Sequence, residues 1–82
     1  MNRVTFTQTA KSDLRKIEQK QALVILKALA RLNRTGLGDV KKLEDDRLER
    51  YRLRVGDWRV FFRYLPGNDL VVVGVENRKD AY

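Results

Sequence analysis

At 82 residues the chain has room for one domain and not for two, so we expect a single domain over residues 1–82. It contains no cysteine and no histidine, so disulfides and cysteine-bound metal are excluded, and we expect no metal, no cofactor and a reducing, cytoplasmic environment. Eighteen Lys and Arg against eleven Asp and Glu give a formal charge of +7, which favours a polyanion or an acidic protein as partner, with simple solubility as the alternative.

The first predicted elements are a short strand and a helix. Residues Val4–Phe6 alternate apolar and polar side chains, as a half-buried strand does. Thr7 or Thr9 is suited to cap the following helix, because a threonine oxygen accepts the free N–H groups of the first turn. The apolar residues of this helix recur at helical spacing: Ala10, Leu14 and Ile17.

A second helix follows and is expected to form a hairpin with the first, with the break near residues 18–20. Its apolar residues fall on one stripe, and most of its basic residues lie off that stripe. The stripe consists of Ala22, Ile25, Leu26, Leu29 and Leu32. Gly36 is predicted to end the helix, because glycine adopts the left-handed conformation of a C-terminal cap without steric cost.

The second half of the chain changes to the two-residue period of strands. Residues 51–55 alternate strictly and residues 58–64 alternate in most positions, with residues 56–57 as the turn between them. Residues 66–69 form a second turn, and residues 70–75 are almost continuously apolar, as in a central strand. Three such strands predict an antiparallel meander. The predicted fold is α+β, a two-helix hairpin packed on a small antiparallel sheet in the order β-α-α-β-β-β.

Alternation in the first two of these strands separates two sets of side chains. The set expected to cover the helices is apolar or aromatic: Tyr51, Leu53, Val55, Trp58, Val60, Phe62 and Tyr64. The opposite set, here called the arginine face, consists of Arg50, Arg52, Arg54, Arg59, Phe61 and Arg63.

An ordinary solvated polar face is one interpretation of the arginine face, but such a face mixes charge signs, because like charges opposite each other destabilise a sheet. Since acidic residues lie mostly elsewhere, we favour a site where arginines bind phosphates and Phe61 stacks on an RNA base. Lys41 and Lys42 either add to this RNA-binding surface or are ordinary surface lysines.

Four segments resemble one protein family. Residues 51–62, Tyr-Arg-Leu-Arg-Val-Gly-Asp-Trp-Arg-Val-Phe-Phe, resemble the Tyr-Arg-x-Arg-x-Gly-Asp-aromatic-Arg signature of RelE/ParE toxins. Residues 6–10, Phe-Thr-Gln-Thr-Ala, resemble their opening strand-to-helix turn, and residues 41–43, Lys-Lys-Leu, their Lys-Leu step before the second strand. Residues 75–82, Val-Glu-Asn-Arg-Lys-Asp-Ala-Tyr, are similar to their closing Val-Gly-His-Arg-Lys-Asp-Val-Tyr-like segment. The likeness spans the chain in family order, so it implies a RelE-like fold, similar to microbial ribonucleases.

The resemblance further implies the toxin of a type II toxin–antitoxin system. RelE-type members bind the ribosomal A site and cut messenger RNA without a metal: the 2′-hydroxyl attacks the adjacent phosphate and the 5′-oxygen leaves. Matched by motif, the family's active residues fall on Arg52, Arg54, Arg59, Arg78 and Tyr82. Arg59 and Arg78 would stabilise the phosphorane, and Arg52 and Arg54 would hold flanking phosphates or the leaving oxygen. Tyr82 would orient the nucleophile, act as the base if neighbouring cations lower its pKa, or only stack on a base.

The resemblance also implies partners. These are the ribosome, its messenger RNA and a cognate antitoxin, an acidic segment that is disordered when free and forms a hetero-oligomer with the toxin. No membrane partner is expected, because no apolar run approaches the roughly 18 residues of a membrane span. Two other functions stay open: a ParE-like, non-catalytic inhibitor of DNA gyrase, and a non-toxic nucleic-acid-binding domain that has kept only the fold. Asn77 stands where many relatives have histidine, so the subfamilies that use histidine acid–base chemistry are poor guides to this chain.

Overall fold

The computed structural model describes residues 2–78 and confirms the predicted α+β fold, two helices packed on one sheet. In chain order the elements are β1 (Val4–Phe6), α1 (Gln8–Arg15), α2 (Gln19–Thr35), β2 (Asp39–Lys42), β3 (Tyr51–Val55), β4 (Trp58–Tyr64) and β5 (Leu70–Asn77). Neither helix of this part of the chain combines the length and the apolar character needed to cross a membrane.

The sheet has five strands and is mixed, whereas the sequence predicted four strands and an antiparallel sheet. The strand order is β1-β5-β4-β3-β2. Strand β1 pairs with β5 in parallel, and the other neighbours are antiparallel, so the predicted meander β3-β4-β5 is present. The additional strand β2 contains one apolar residue, Val40, and therefore lacks the alternation that marks a strand. Backbone pairing with β3 forms it.

Local residues cap the start of α1 and the end of α2. Thr7 rather than Thr9 caps α1, since its Oγ1 accepts a hydrogen bond from Ala10 N at 3.2 Å. The break between the helices lies at residues 16–18, slightly before the predicted position. Gly36 ends α2 as predicted: its φ is 75°, and its N–H donates to Leu32 O at 2.8 Å.

The core lies between the helices and one face of the sheet. Its buried members are Ala10, Ile25, Leu29, Leu32, Leu53, Val60, Phe62, Leu70, Val72 and Val75. Two residues predicted on the covered faces are more exposed than expected, Leu26 at 40 % and Tyr64 at 42 %. The residues of α2 that are buried are Ile25, Leu29 and Leu32, and Leu26 is not among them. Tyr64, the last residue of β4, packs edge-on against the rings of Tyr51 and Phe62 instead.

Strand β5 contains a bulge. Phe62 pairs with Val72 but Phe61 pairs with Gly74, which leaves Val73 as an extra residue. Before the bulge Leu70 and Val72 are buried, and after it Val75 is buried. The bulge therefore exchanges the two faces of β5 halfway along the strand.

Candidate nucleic-acid interface

The arginine face lies on the side of the sheet away from the helices. Its members on β3 and β4 alternate with buried core residues of the same strands. Arg54 lies directly opposite Arg59, and Arg52 lies opposite Phe61. Because directly opposed residues project to the same side of a sheet, these four side chains form two adjacent rows.

Both rows continue onto the flanking strands. From β2 to β5 the first row reads Asp39, Arg54, Arg59 and Glu76, and the second reads Lys41, Arg52, Phe61 and Gly74. Lys41 thus shares the side of Arg52, whereas Lys42 lies opposite Tyr51 and so belongs to the other side of the sheet. The pairing therefore brings Lys41, but not Lys42, next to the central arginines.

Arg50 precedes β3 and is held by an acidic neighbour. Its Nε and Nη2 donate to the two carboxylate oxygens of Asp46 at 3.1 and 3.0 Å, and its backbone N–H donates to the same carboxylate at 2.9 Å. These hydrogen bonds, the side-chain ones foremost, lower the pKa of Asp46, and the carboxylate raises the pKa of Arg50.

Arg50 also contacts the aromatic residue of the face. Its guanidinium lies 5.4 Å from the centre of the Phe61 ring, within cation–π distance. Phe61 is half-buried, so a base can stack only on the part of the ring that Arg50 leaves open.

Arg59 and Arg52 form the central ion pairs of the face. Arg59 Nη2 lies 2.9 Å from Glu76 Oε1, and Arg52 Nη2 lies 3.6 Å from Asp39 Oδ1. The Nε atoms of both arginines are buried and have no hydrogen-bond acceptor within residues 2–78. An unmatched buried donor destabilises a fold by about 1–3 kcal/mol. Stability alone therefore does not account for arginine at these two positions.

The expectation that acidic residues lie mostly elsewhere is wrong for three carboxylates. Asp39, Asp46 and Glu76 each pair with one arginine of the face. They reduce the repulsion between arginines that face each other, which is the physical reason for their presence. Sequence reasoning missed Asp39 because β2 was not predicted. It missed Glu76 because unbroken alternation from Leu70 places that residue on the helix side.

Other cations of the face have no ion pair within residues 2–78. Arg54 is exposed at the centre, Arg63 is exposed further along β4, and Lys41 is exposed on β2. Lys42 instead lines a cavity of about 200 Å³ with Glu49, Tyr51, Arg63 and Tyr64. Burial raises the pKa of the Tyr64 phenol there, with the nearby Tyr51 as a second cause.

Arg78 directly follows β5 and is exposed. Its backbone N–H donates to Asp57 O at 2.8 Å, which ties the end of β5 to the turn between β3 and β4. This contact places Arg78 at the same end of the sheet as Arg54 and Arg59. Tyr82, the remaining residue expected at the site, lies outside the described residues.

The arrangement suits the binding of several phosphates. Planar guanidinium groups donate two hydrogen bonds at once and stay charged at every physiological pH. Four arginines on two neighbouring strands and one after a third can contact successive phosphates or one phosphate from two sides. Donors fixed in a folded sheet also stabilise negative charge that develops during a reaction, because they need not reorganise.

Comparisons with known proteins identify the family and the fold. Residues 4–82 match the model of a family described as the ParE toxin of the type II toxin–antitoxin system, parDE. The chain is 28 % identical to a chain of the RelBE2 toxin–antitoxin complex from Mycobacterium tuberculosis, with a TM-score of 0.79 over 94 % of this chain and 98 % of that one. No curated protein sequence matches it.

More distant structures share the fold. A chain of the archaeal RelE–RelB complex from Pyrococcus horikoshii is 22 % identical, with a TM-score of 0.75 over 94 % of both chains. The isolated RelE toxin of E. coli is 14 % identical, with a TM-score of 0.74 over 94 % of this chain and 84 % of that one. At these sequence identities the likeness shows a shared fold, that is, the same arrangement of helices and strands.

Proposed function

The chain belongs to the ParE toxin family of type II toxin–antitoxin systems, and we propose that it is a ribosome-dependent endoribonuclease that cuts messenger RNA in the A site. The observation that carries the proposal is the pairing of Arg54 with Arg59 beside Arg52 and Phe61 on one open face. Opposed like charges destabilise a sheet, and a polyanionic substrate gives them a use. The half-buried aromatic ring among them favours single-stranded RNA, whose unstacked bases pack on aromatic side chains.

In the proposed reaction the messenger supplies its own nucleophile. The 2′-hydroxyl loses its proton and attacks the adjacent phosphorus, the bond from phosphorus to the 5′-oxygen breaks, and that oxygen takes up a proton. The products are a 2′,3′-cyclic phosphate and a free 5′-hydroxyl. The added charge of the phosphorane is stabilised by Arg59 and Arg78, while Arg52 and Arg54 bind the flanking phosphates or the leaving oxygen. The path for the RNA backbone is extended by Lys41, Arg50 and Arg63. Lys42 lies on the other side of the sheet and reaches this path only around the edge strand β2.

Tyr82 keeps the role proposed from the resemblance. It would orient the 2′-hydroxyl or accept its proton, which requires that nearby cations lower its pKa from about 10. Replacing Tyr82 with Phe separates the two possibilities from simple stacking, because the ring is kept and the hydroxyl is lost.

The family also supports a partner. Relatives of this fold were solved as complexes of toxin with antitoxin, and we propose a cognate antitoxin whose acidic segment orders on this +7 chain to form a hetero-oligomer. Because the ribosome and its messenger RNA are the proposed partners, we propose that the protein acts in the cytoplasm.

A second candidate function is the non-catalytic inhibition of DNA gyrase. The family description itself, which names ParE toxins, favours it. The two functions differ in the cellular process that stops first after expression of the protein is induced. We expect incorporation of amino acids to stop, messengers on ribosomes to be cut within codons and plasmid supercoiling to stay unchanged. A loss of supercoiling with intact messengers would refute the nuclease and favour the gyrase inhibitor.

The arginine face is tested by Arg59→Ala. We expect it to abolish toxicity and messenger cleavage, because one fixed donor to a developing oxyanion contributes about 10²–10³ in rate. The matched control is Arg31→Ala, which removes the same charge from an exposed position in the C-terminal half of α2. Thermal unfolding and antitoxin binding should be close to wild type for both variants. Full toxicity of Arg59→Ala would show that the arginine face is not the active surface.

A further inference from the structure

The bulge in β5 decides which residues of that strand reach the arginine face. Counted without interruption from the buried Leu70 and Val72, Glu76 would project toward the helices. The extra residue, Val73, shifts the count by one, so Val75 is buried at 7 % exposure and Glu76 lies opposite Arg59. Bulges of this kind commonly turn side chains toward functional sites.

Two side chains hold the backbone of the bulge, Thr7 at the N-cap of α1 and Asp13 near the C-terminal end of that helix. Asp13 Oδ2 accepts a hydrogen bond from Val75 N at 2.9 Å, and Thr7 Oγ1 donates to Val73 O at 3.4 Å. A bulge interrupts the ladder and leaves backbone groups without a strand partner. Here α1 supplies partners on both sides of Gly74. The Asp13 carboxylate also lies beside Gly74, where a Cβ would be in ordinary van der Waals contact with Oδ2 at 3.6 Å.

We propose that Asp13 is a positioning residue of the arginine face. Through Val75 it fixes the bulge, and the bulge sets the parity that brings Glu76 to Arg59 and leaves Arg78 beside the turn between β3 and β4. Glu76 keeps the Arg59 guanidinium in place, 2.9 Å away, until a phosphate replaces the carboxylate. Asp13 itself touches no substrate. The part of the proposal that concerns cleavage rests on the proposed function; the part that concerns the bulge does not.

The chain provides a matched control at the other end of β5. Asp69 Oδ1 also accepts a backbone hydrogen bond, from Arg3 N at 2.9 Å, across a separation of 66 residues. It precedes β5 at the end remote from Glu76 and Arg78. Asp13→Ala and Asp69→Ala therefore remove the same kind of contact, one at the bulge and one away from it.

The experiment compares Asp13→Ala, Asp13→Asn and Asp69→Ala by amide hydrogen exchange and by cleavage of messenger on ribosomes. We expect Asp13→Ala to lower cleavage about 100-fold, the effect of a displacement of about 1 Å at a reacting centre. It should also abolish the exchange protection of the Val75 amide. Asp13→Asn keeps an acceptor oxygen and should restore most of both. Asp69→Ala should leave both readouts within about twofold of wild type when thermal stabilities are matched.

Three results separate the possible failures. If Asp13→Ala keeps Val75 protected and cleavage normal, the proposal is wrong. If Asp13→Ala and Asp69→Ala lose activity in proportion to lost stability, Asp13 is only a fold contact and the proposal is also wrong. If the wild-type protein cuts no messenger, the proposed function fails, and the bulge is then judged from Val75 exchange and from the Arg59–Glu76 distance in Asp13→Asn and Asp13→Ala. Asp13→Asn should keep the wild-type distance, and an unchanged distance in Asp13→Ala would overturn the proposal.

Discussion

On the proposed function, Glu76 would compete with the messenger for Arg59, and this competition can be measured. Its carboxylate lies 2.9 Å from Arg59 Nη2, with the side chain half exposed. A phosphate that binds Arg59 must displace this negative charge or stay close to it. Glu76→Gln keeps the size of the side chain and an acceptor oxygen but removes the charge. We expect the variant to fold normally, since an exposed ion pair contributes about 0–1 kcal/mol to stability, and to bind messenger more tightly.

The size of the effect follows from counterion release. Each additional cation that neutralises a phosphate on single-stranded nucleic acid makes the negative slope of log K against log salt concentration steeper by about 0.7. At about 0.1 M salt this corresponds to an affinity about fivefold higher, or about 1 kcal/mol. Coulomb's law agrees, because removing a unit charge about 5 Å from a phosphate in a medium of water-like permittivity changes the energy by about 0.8 kcal/mol.

The assay measures the Kd of Glu76→Gln for ribosomes programmed with a messenger whose 2′-hydroxyls are methylated, so that no cutting occurs. The control is Glu18→Gln, which makes the same change in net charge at the exposed N-terminal cap of α2. Titrations at two salt concentrations give the slope. An unchanged Kd for Glu76→Gln, or an equal increase in affinity for Glu18→Gln, would refute the competition at Arg59.

Two further predictions concern stability. Phe62 is fully buried, so Phe62→Ala should lower the free energy of unfolding by about 3–5 kcal/mol; a loss below about 1 kcal/mol in urea denaturation would contradict its place at the centre of the core. Hydrogen bonds from Arg50 lower the pKa of Asp46 in the folded protein, so this carboxylate stabilises the fold above its unfolded pKa of about 3.9 and loses that contribution as the pH falls through the folded pKa. Denaturation between neutral pH and about pH 3 should show a smaller acid-induced loss for Asp46→Asn than for wild type, and equal losses would contradict the Arg50–Asp46 contact.

The sequence predicts most of the arginine face because alternation is a local property. The β3–β4 register contains no inserted residue, so the period of two assigns Arg52, Arg54 and Arg59 to one side correctly. The N-cap at Thr7 and the left-handed Gly36 are local for the same reason. Each depends on a few neighbouring residues.

Two of the three carboxylates, Asp39 and Glu76, could not be predicted in this way, because their positions depend on pairing between distant segments. Asp39 reaches Arg52 only because β2 joins the sheet, and nothing in its own composition indicates a strand. Glu76 reaches Arg59 only because a bulge shifts the register. That bulge is held by Asp13, 62 residues before Val75, so the contact lies outside any window of local pattern.

The carboxylates also change how the arginine face can discriminate between ligands. An uncompensated cluster of guanidinium groups binds any polyanion, because the phosphate term carries no sequence information. On this face three arginines already have a carboxylate partner. A single phosphate that displaces one of these carboxylates gains in binding free energy only the difference between the new arginine–phosphate pair and the old arginine–carboxylate pair. Appreciable affinity then requires several phosphates in register with the strands at once. The paired acids therefore disfavour stray nucleic acid and favour one whose backbone is already held in a fixed path, as the proposed action on the ribosome requires.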